Sequence, residues 1–144
     1  MRLQDNAGIY PRMETICYCA AVRTAARKTT VLYDSLLEPA GVTLARFSLL
    51  RKIERAGTVS LTKLGRLAEL DRSTVGRNVK ALEALRLVRL RPAKDQRETA
   101  VRLTSAGEET LQRAAPLWEE AQRRVEASLG ASEAEQLRTL ALSL

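Results

Sequence analysis

The hydrophobic period of this chain changes twice, and those changes confine what it can fold into. Up to Leu85 the apolar residues recur at spacings of three and four, the period of helices that bury one face. The pattern then alternates through Leu87-Val88-Arg89-Leu90-Arg91, passes a polar and charged tip from Pro92 to Glu98, and alternates again through Thr99-Ala100-Val101-Arg102-Leu103. After Thr104 the helical spacing returns. One short hairpin inside an otherwise helical chain predicts a mainly α fold with a small β-wing. A length of 144 residues suits one domain with one core, and since aromatics supply only 3% of it, Leu and Ala must do most of the packing.

The helices can be placed by their start and stop signals. Residues 1–12 carry no periodicity and read as an arm. From about Met13 a long amphipathic pattern runs through Ile16, Cys19, Val22, Ala26, Leu32 and Leu36, and ends before Pro39 because the residue preceding proline avoids the helical region. This helix carries more apolar surface than a domain of this size needs, so its surplus is a candidate subunit interface. Gly41 breaks the chain, Thr43 caps a second helix bearing Leu44, Phe47, Leu50 and Ile53, and Gly57 ends it. Val59 stands in a short extended segment. Ser60 caps a third helix with Leu61, Leu64 and Ala68 inside, and after a turn at Glu69-Leu70 a fourth begins at Asp71.

Two short helices about three residues apart, followed by a hairpin, have the form of a winged helix-turn-helix, here over about 43–103. Thr104 caps a long helix through Leu111, Ala114, Leu117, Trp118, Ala121, Val125 and Leu129, with a bend expected at Pro116. Ser132 and Glu135 read as a capping box for a last helix with the stripe Leu137, Leu140, Ala141 and Leu144. The first helix, about 13–38, and the last two, about 105–144, read together as a dimerisation layer.

Within the fourth helix Val75, Val79, Leu82 and Arg86 fall on one side. Ser73, Arg77 and Lys80, with Thr74 at the edge, fall on the other, and Arg72 and Asn78 complete the polar set. Arg bonds guanine bidentately, Ser and Thr reach bases or phosphates, and Gly76 and Ala81 allow close approach, so the face suits a DNA major groove. It equally suits plain solvation, and the surrounding charge has to decide. The formal charge is +7, and between Ser60 and Leu103 11 Lys and Arg stand against 5 Asp and Glu. That concentration favours nucleic acid as partner over a membrane, since no stretch approaches a transmembrane length. In the wing tip, beside Lys94, Arg97 suits a minor groove and Asp95 is placed to orient it.

Other classes are disfavoured. With no His, two Cys and no Gly-rich phosphate loop, the common catalytic and metal arrangements are absent, and neither an enzyme, a metal site nor a cofactor is expected. No signal-peptide pattern opens the chain, so a cytoplasmic location is expected.

The order helix, helix, helix-turn-helix, wing, long helix, short helix resembles the multiple antibiotic resistance regulator (MarR) family of bacterial transcription factors. The resemblance is carried by Asp71-Arg72-Ser73-Thr74-Val75 with Arg77, by Leu82-Glu83 and Leu87-Val88, and by Asp95-Gln96-Arg97 leading to Leu103-Thr104 and Gly107; it spans roughly Cys17 to Leu144. It implies a homodimer on a palindromic operator, with recognition helices in successive major grooves and wings flanking them, released by a ligand or an oxidant. Two positions depart from the family pattern. Glu69 stands where a turn glycine is common, a source of strain if φ is positive there, and Gly76 replaces a common Thr or Ser. A protein-docking module and a non-specific architectural DNA binder are the alternatives to a sequence-specific regulator.

Two inputs fit such a regulator. Cys19 lies 24 residues before Thr43, a placement similar to the peroxide-reactive cysteine of the organic hydroperoxide resistance regulators within the family, and Tyr33 falls where those proteins carry a tyrosine near the thiol. Arg23, one turn after Cys19, favours its thiolate. Cys17 and Cys19 point about 200° apart on a helix, too far round for one chain to join them. A buried cysteine is more often a small hydrophobe. The rival input is a small aromatic or amphipathic effector bound near Tyr33, Leu44 and Phe47, between the dimerisation layer and the winged lobe.

Overall fold

The computed structural model describes residues 17–93 and 98–143. Helix α1 spans Tyr18–Leu37, a single 3-10 turn covers Glu38–Ala40, and α2 runs over Leu44–Ala56. Strand β1, Val59–Ser60, leads into α3, Leu61–Ala68, and α4, Arg72–Ala84. Strands β2, Val88–Pro92, and β3, Thr99–Leu103, form the hairpin, followed by α5, Ser105–Leu129, and α6, Ala131–Ser143. The mainly helical fold with a small wing is the one expected from the change of period.

Each expected cap of the central helices is made. Thr43, Ser60, Asp71 and Thr104 sit in extended backbone and their side chains accept from Arg46, Lys63, Thr74 and Gly107 N–H groups. Asp34 of α1 accepts the Leu44 N–H at 2.7 Å, so a second donor at the start of α2 is satisfied from the neighbouring helix. Ser132 is different. Helix α6 begins two residues earlier than expected, at Ala131, so Ser132 lies inside its first turn and accepts from Gln136 instead of capping, while Glu135 pairs with Arg138. Helix α5 continues through Pro116 as one helix.

The sheet has one strand more than the hairpin. β1 pairs antiparallel with β3, Val59 opposite Val101, giving the order β1-β3-β2. Leu87, read from the pattern as the first strand residue, stands just outside β2 and is buried in the turn before it, whereas Pro92 is included opposite Thr99. Val59, Val88 and Val101 face the helices and join Phe47, Leu50, Ile53, Leu64, Val75, Val79 and Leu82 in one core. Burying those side chains at about 1.5–3 kcal/mol each is what holds the winged lobe together.

The terminal helices attach to this lobe unequally. Only the C-terminal half of α1 is covered, with Tyr33 and Leu37 buried, while Tyr18, Val22 and Val31 are exposed. Helix α6 buries one residue, Ala134, and leaves Leu137, Leu140 and Leu142 exposed; Arg138 ties it to Glu126 of α5 at 2.8 Å. Between α2 and α5 the joint is aromatic: the Phe47 and Trp118 rings stand 6.2 Å apart, and the Arg51 guanidinium lies over both, 5.8 and 5.2 Å from their centres. No helix of the described residues is long and apolar enough to cross a membrane.

Two glycines contrast. A Cβ on Gly107 would stand 2.1 Å from the Leu87 carbonyl oxygen, whereas one on Gly76 would meet nothing within 4 Å. Gly107→Ala is therefore expected to destabilise by about 1–3 kcal/mol or more, and Gly76→Ala to stabilise by about 1 kcal/mol. Urea midpoints at constant m-value check both; an unchanged midpoint for Gly107→Ala would contradict the packing.

Candidate nucleic-acid interface

The turn from α3 to α4 is built on a close approach. Gly65, buried on α3, leaves room for the Leu70 carbonyl and for Val75 of α4, at 3.1 and 3.6 Å from where its Cβ would be. The Leu70 N–H closes on the Gly65 carbonyl at 3.0 Å, and Glu69 takes the left-handed conformation, φ 53° and ψ 39°. The departure noted at Glu69 thus has its consequence: a side chain occupies a position glycine fits without strain. Gly65 has no signature of its own in the sequence, because its role depends on a residue five positions on.

Helix α4 then presents its two faces as expected for one turn fewer. Val75, Val79 and Leu82 are buried; Arg72, Ser73, Arg77, Asn78 and Lys80 are exposed and Thr74 is half-buried. Arg86 is not on the buried side. The helix ends at Ala84, and Arg86 stands exposed in a left-handed turn with φ 60°, which the periodicity could not show because the helix had already stopped.

The start of α4 is organised by one carboxylate. Asp71 accepts from the Thr74 N–H at 2.9 Å and from the Ser73 and Thr74 hydroxyls, each at 2.6 Å. Those bonds, the Ser73 hydroxyl first, hold its carboxyl far below the usual range for Asp. A hydroxyl has one proton, and both are given to Asp71, so Ser73 and Thr74 can meet a partner only as acceptors. Thr74 already accepts from the Arg77 guanidinium at 3.2 Å, which draws that side chain back along the helix. Among the expected contacts on α4, the free donors are therefore Arg72, Asn78 and Lys80, with Arg77 held in reserve.

The wing is fixed to α4 at its base. Glu83 accepts the Leu90 N–H of β2 at 3.2 Å, the Leu87 N–H reaches the Leu82 carbonyl at 3.0 Å, and the Thr104 hydroxyl donates to the Arg86 carbonyl at 2.6 Å. Near the tip the Ala93 N–H donates to the Glu98 carbonyl at 2.8 Å. Lys94, Asp95 and Arg97, the expected wing contacts, lie outside the described residues. Glu83 and Thr104 were legible only as resemblance and cap; their cross-links between elements were not.

The expected signal residues do not converge. Cys17 and Cys19 are both exposed, so neither packs as a small hydrophobe within this chain. Cys17 precedes α1 directly, and hydrogen bonds from the Ala20 and Cys19 backbone lower its thiol pKa. Tyr33 is 14 residues from Cys19 on the same helix, about 21 Å along the axis, and cannot approach that thiol within one chain. Its hydroxyl instead donates to Gln122 Oε1 of α5, and burial raises its pKa. A cavity of about 350 Å³ opens beside it, walled by Tyr33, Leu44, Trp118, Gln122, Val125 and Leu137. Phe47, expected in that wall, is buried in the core behind Trp118. No group of His, Cys, Asp and Glu among the described residues could hold a metal.

A capped helix with a cationic outer face, set against a preceding short helix and clasped by a β-hairpin, defines a winged helix-turn-helix protein. A family model described as MarR family matches residues 40–98. The transcriptional regulator MosR of M. tuberculosis, solved in complex with DNA, is 32% identical with a TM-score of 0.77, covering 89% of this chain and 96% of that one. YhbI of Bacillus subtilis (strain 168), described as an HTH-type transcriptional regulator, is 29% identical over 123 residues, 85% of this chain and 80% of its own length. A mutant of MarR from E. coli complexed with operator DNA shares the fold, with a TM-score of 0.83 at 22% identity over 91% of this chain and 95% of that one. The chain belongs to the MarR family of winged helix-turn-helix transcriptional regulators.

Asp71 gives a pH test. Because its carboxyl is depressed in the folded state, the stability it adds is present above the ordinary Asp value of 3.8 and is lost as pH falls below it. Asp71→Asn is expected to lower Tm by a few degrees at neutral pH and to flatten the acid limb of Tm against pH below about 4. Parallel wild-type and variant curves would remove Asp71 from that role.

Proposed function

We propose that this chain acts as a homodimer that binds a palindromic operator in a sequence-specific way, most simply as a repressor, until a small molecule or an oxidant releases it. The observation that carries the reading is the exposed face of α4, with Arg72, Ser73, Arg77, Asn78 and Lys80 on a helix locked at its start by Asp71 and at its end by the wing. A rigid, cationic helix with no large apolar residue on its outer face suits a major groove, where bidentate Arg contacts discriminate bases. The DNA complex of MosR supports the same use of the fold. Lys94, Asp95 and Arg97 belong to the proposal as wing contacts, and bacterial DNA places its work in the cytoplasm.

The homodimer accounts for the apolar surface left on α1 and α6. Tyr18 is 91% exposed and Leu142 90%, with Leu140 at 62% and Val22 at 58%, a burden of apolar area that a second copy of the chain would cover. Two copies also supply the symmetry of a palindromic site. For the input, the cavity beside Tyr33 and Leu44 is at the small end of ligand pockets. An oxidant would act through Cys17 or Cys19; we favour Cys17, since it is the thiol whose place before α1 favours thiolate. Arg23 and Tyr33 then have no part in activating it.

Arg77→Ala is expected to weaken operator binding by about 1–3 kcal/mol, roughly 5- to 150-fold, and to relax base preference at one position per half-site. Duplexes selected from a random pool by the wild type supply the operator, and fluorescence anisotropy supplies the affinity. A docking module or a non-specific binder would select no palindrome. For the oxidant, hydroperoxide should release the wild type and the Cys19→Ser variant from that operator but not Cys17→Ser; equal release of all three would turn the reading to the cavity.

A further inference from the structure

The outward face of the wing sheet carries charge that neither α4 nor the wing tip accounts for. Strand alternation turns Val88, Leu90 and Val101 toward the core and leaves Arg89, Arg91 and Arg102 exposed on the opposite face. The register sets Arg89 directly across from Arg102, and Arg91 across from Ala100, with Ser60 of β1 beyond it. These residues bound a shallow groove of about 420 Å³ floored by Ala100 and Ser60, with Thr58 at one side. No Asp or Glu among the described residues lines it. At the base of the strands Arg89 and Arg102 also border a larger groove with Glu54, Glu83 and Glu108, yet none of the ion pairs among the described residues involves an arginine of the wing.

Like charges directly opposite on adjacent strands weaken a sheet. Nothing in the core requires arginine at either position, since both side chains point away from it. Small residues between the arginines keep the groove open, so that an elongated anion can lie along it with guanidinium groups on both sides. Guanidinium forks match phosphate oxygens in geometry and charge. Arg89 and Arg91 are spaced about 6.6 Å along β2, close to two 3.4 Å rises along one DNA strand. The bonds from the Leu90 N–H to Glu83 and from the Leu87 N–H to the Leu82 carbonyl tether the sheet to the end of α4, so this face keeps a fixed position relative to that helix.

We propose that Arg89, Arg91 and Arg102 hold the phosphodiester backbone of the duplex flanking the bases read by α4, so that the wing grips DNA along its strands as well as at its tip. The proposal rests on the operator-binding reading. It assigns these three arginines to affinity and to salt dependence, and none of them to base choice.

The test uses the full chain and a labelled operator duplex, with an unrelated duplex beside it, titrated across about 50–300 mM KCl. Replacing Arg89, Arg91 and Arg102 together by Gln is expected to reduce the slope of log affinity against log salt by about 2–3, at about 0.9 per phosphate lost. Affinity for both duplexes should fall by a similar factor, leaving their ratio unchanged. Arg89→Glu, which turns the opposed pair into an ion pair, should hold or raise Tm while weakening binding. An unchanged slope in the triple variant overturns the proposal, as does a fall in Tm with unchanged binding in Arg89→Glu. If the wild type binds no duplex, the operator reading fails and this one with it; if it binds and only the variants fail to respond, this one alone is overturned.

Discussion

The Leu87 carbonyl is the point on which the arrangement of this molecule depends. It accepts the Thr104 N–H at 3.1 Å, and Gly107 lies so near that no side chain could stand there. Around it the Leu87 N–H reaches back to Leu82, and the Thr104 hydroxyl holds the Arg86 carbonyl. Four elements therefore meet within a few residues: the end of α4, the start of β2, the end of β3 and the start of α5. A buried carbonyl without these donors would be costly, and satisfying it fixes the angle between α4 and the wing. The left-handed turn at Arg86 is the strain accepted to bring the chain round to it.

From that knot the protein divides into two surfaces that are each incomplete in a different way. The winged lobe is finished inside, with Phe47, Leu50, Ile53, Leu64, Val75, Val79, Leu82 and Val101 almost wholly excluded from water. Its outside is unfinished electrostatically, because the positive charge of the chain is gathered there. The terminal helices are the reverse. The ion pairs of the described residues lie here, Glu120 with Arg123 and Arg124, Arg138 with Glu126 and Glu135, and large apolar residues of α1 and α6 are left in water. Exposed ion pairs of this kind add little stability, so they do not explain why α6 stays folded; its exposed leucines suit a partner that is apolar, while the charge of the winged lobe suits one that is anionic.

How much of this the sequence shows depends on the range over which each residue acts. Caps act over three residues, and Thr43, Ser60, Asp71 and Thr104 are all legible; the change of period acts within a strand, and the hairpin is legible too. Ser132 misleads because a serine followed by glutamate three residues on is a cap only where the helix starts there, and Ala131 takes that start. The pairing of β1 with β3 joins Val59 to Val101 and Ser60 to Ala100, 42 and 40 residues apart, and leaves no local trace. Arg86 misleads for a related reason, since a helical wheel does not know where its helix ends. Of the candidate site, the polar face of α4 could be read directly, but the capture of the Ser73 and Thr74 hydroxyls by Asp71 could not, because it depends on rotamers and not on spacing.

The same distinction bears on how a signal near α1 would reach α4. The cavity shares Trp118 with the joint between α2 and α5, where Arg51 lies over the Trp118 and Phe47 rings. Helix α2 is in turn packed against α3 and β3 through Leu50, Ile53, Leu64 and Val101. An occupant pressing on Trp118 therefore meets a close-packed series of side chains and not a loop, and close-packed interiors shift as blocks and not by local yielding. The cysteines have no such connection. They stand at the far end of an exposed half-helix, and an event at Cys17 or Cys19 can move α4 only through whatever covers α1. Oxidant control would thus need a second copy over α1, whereas control through the cavity would run inside a single copy.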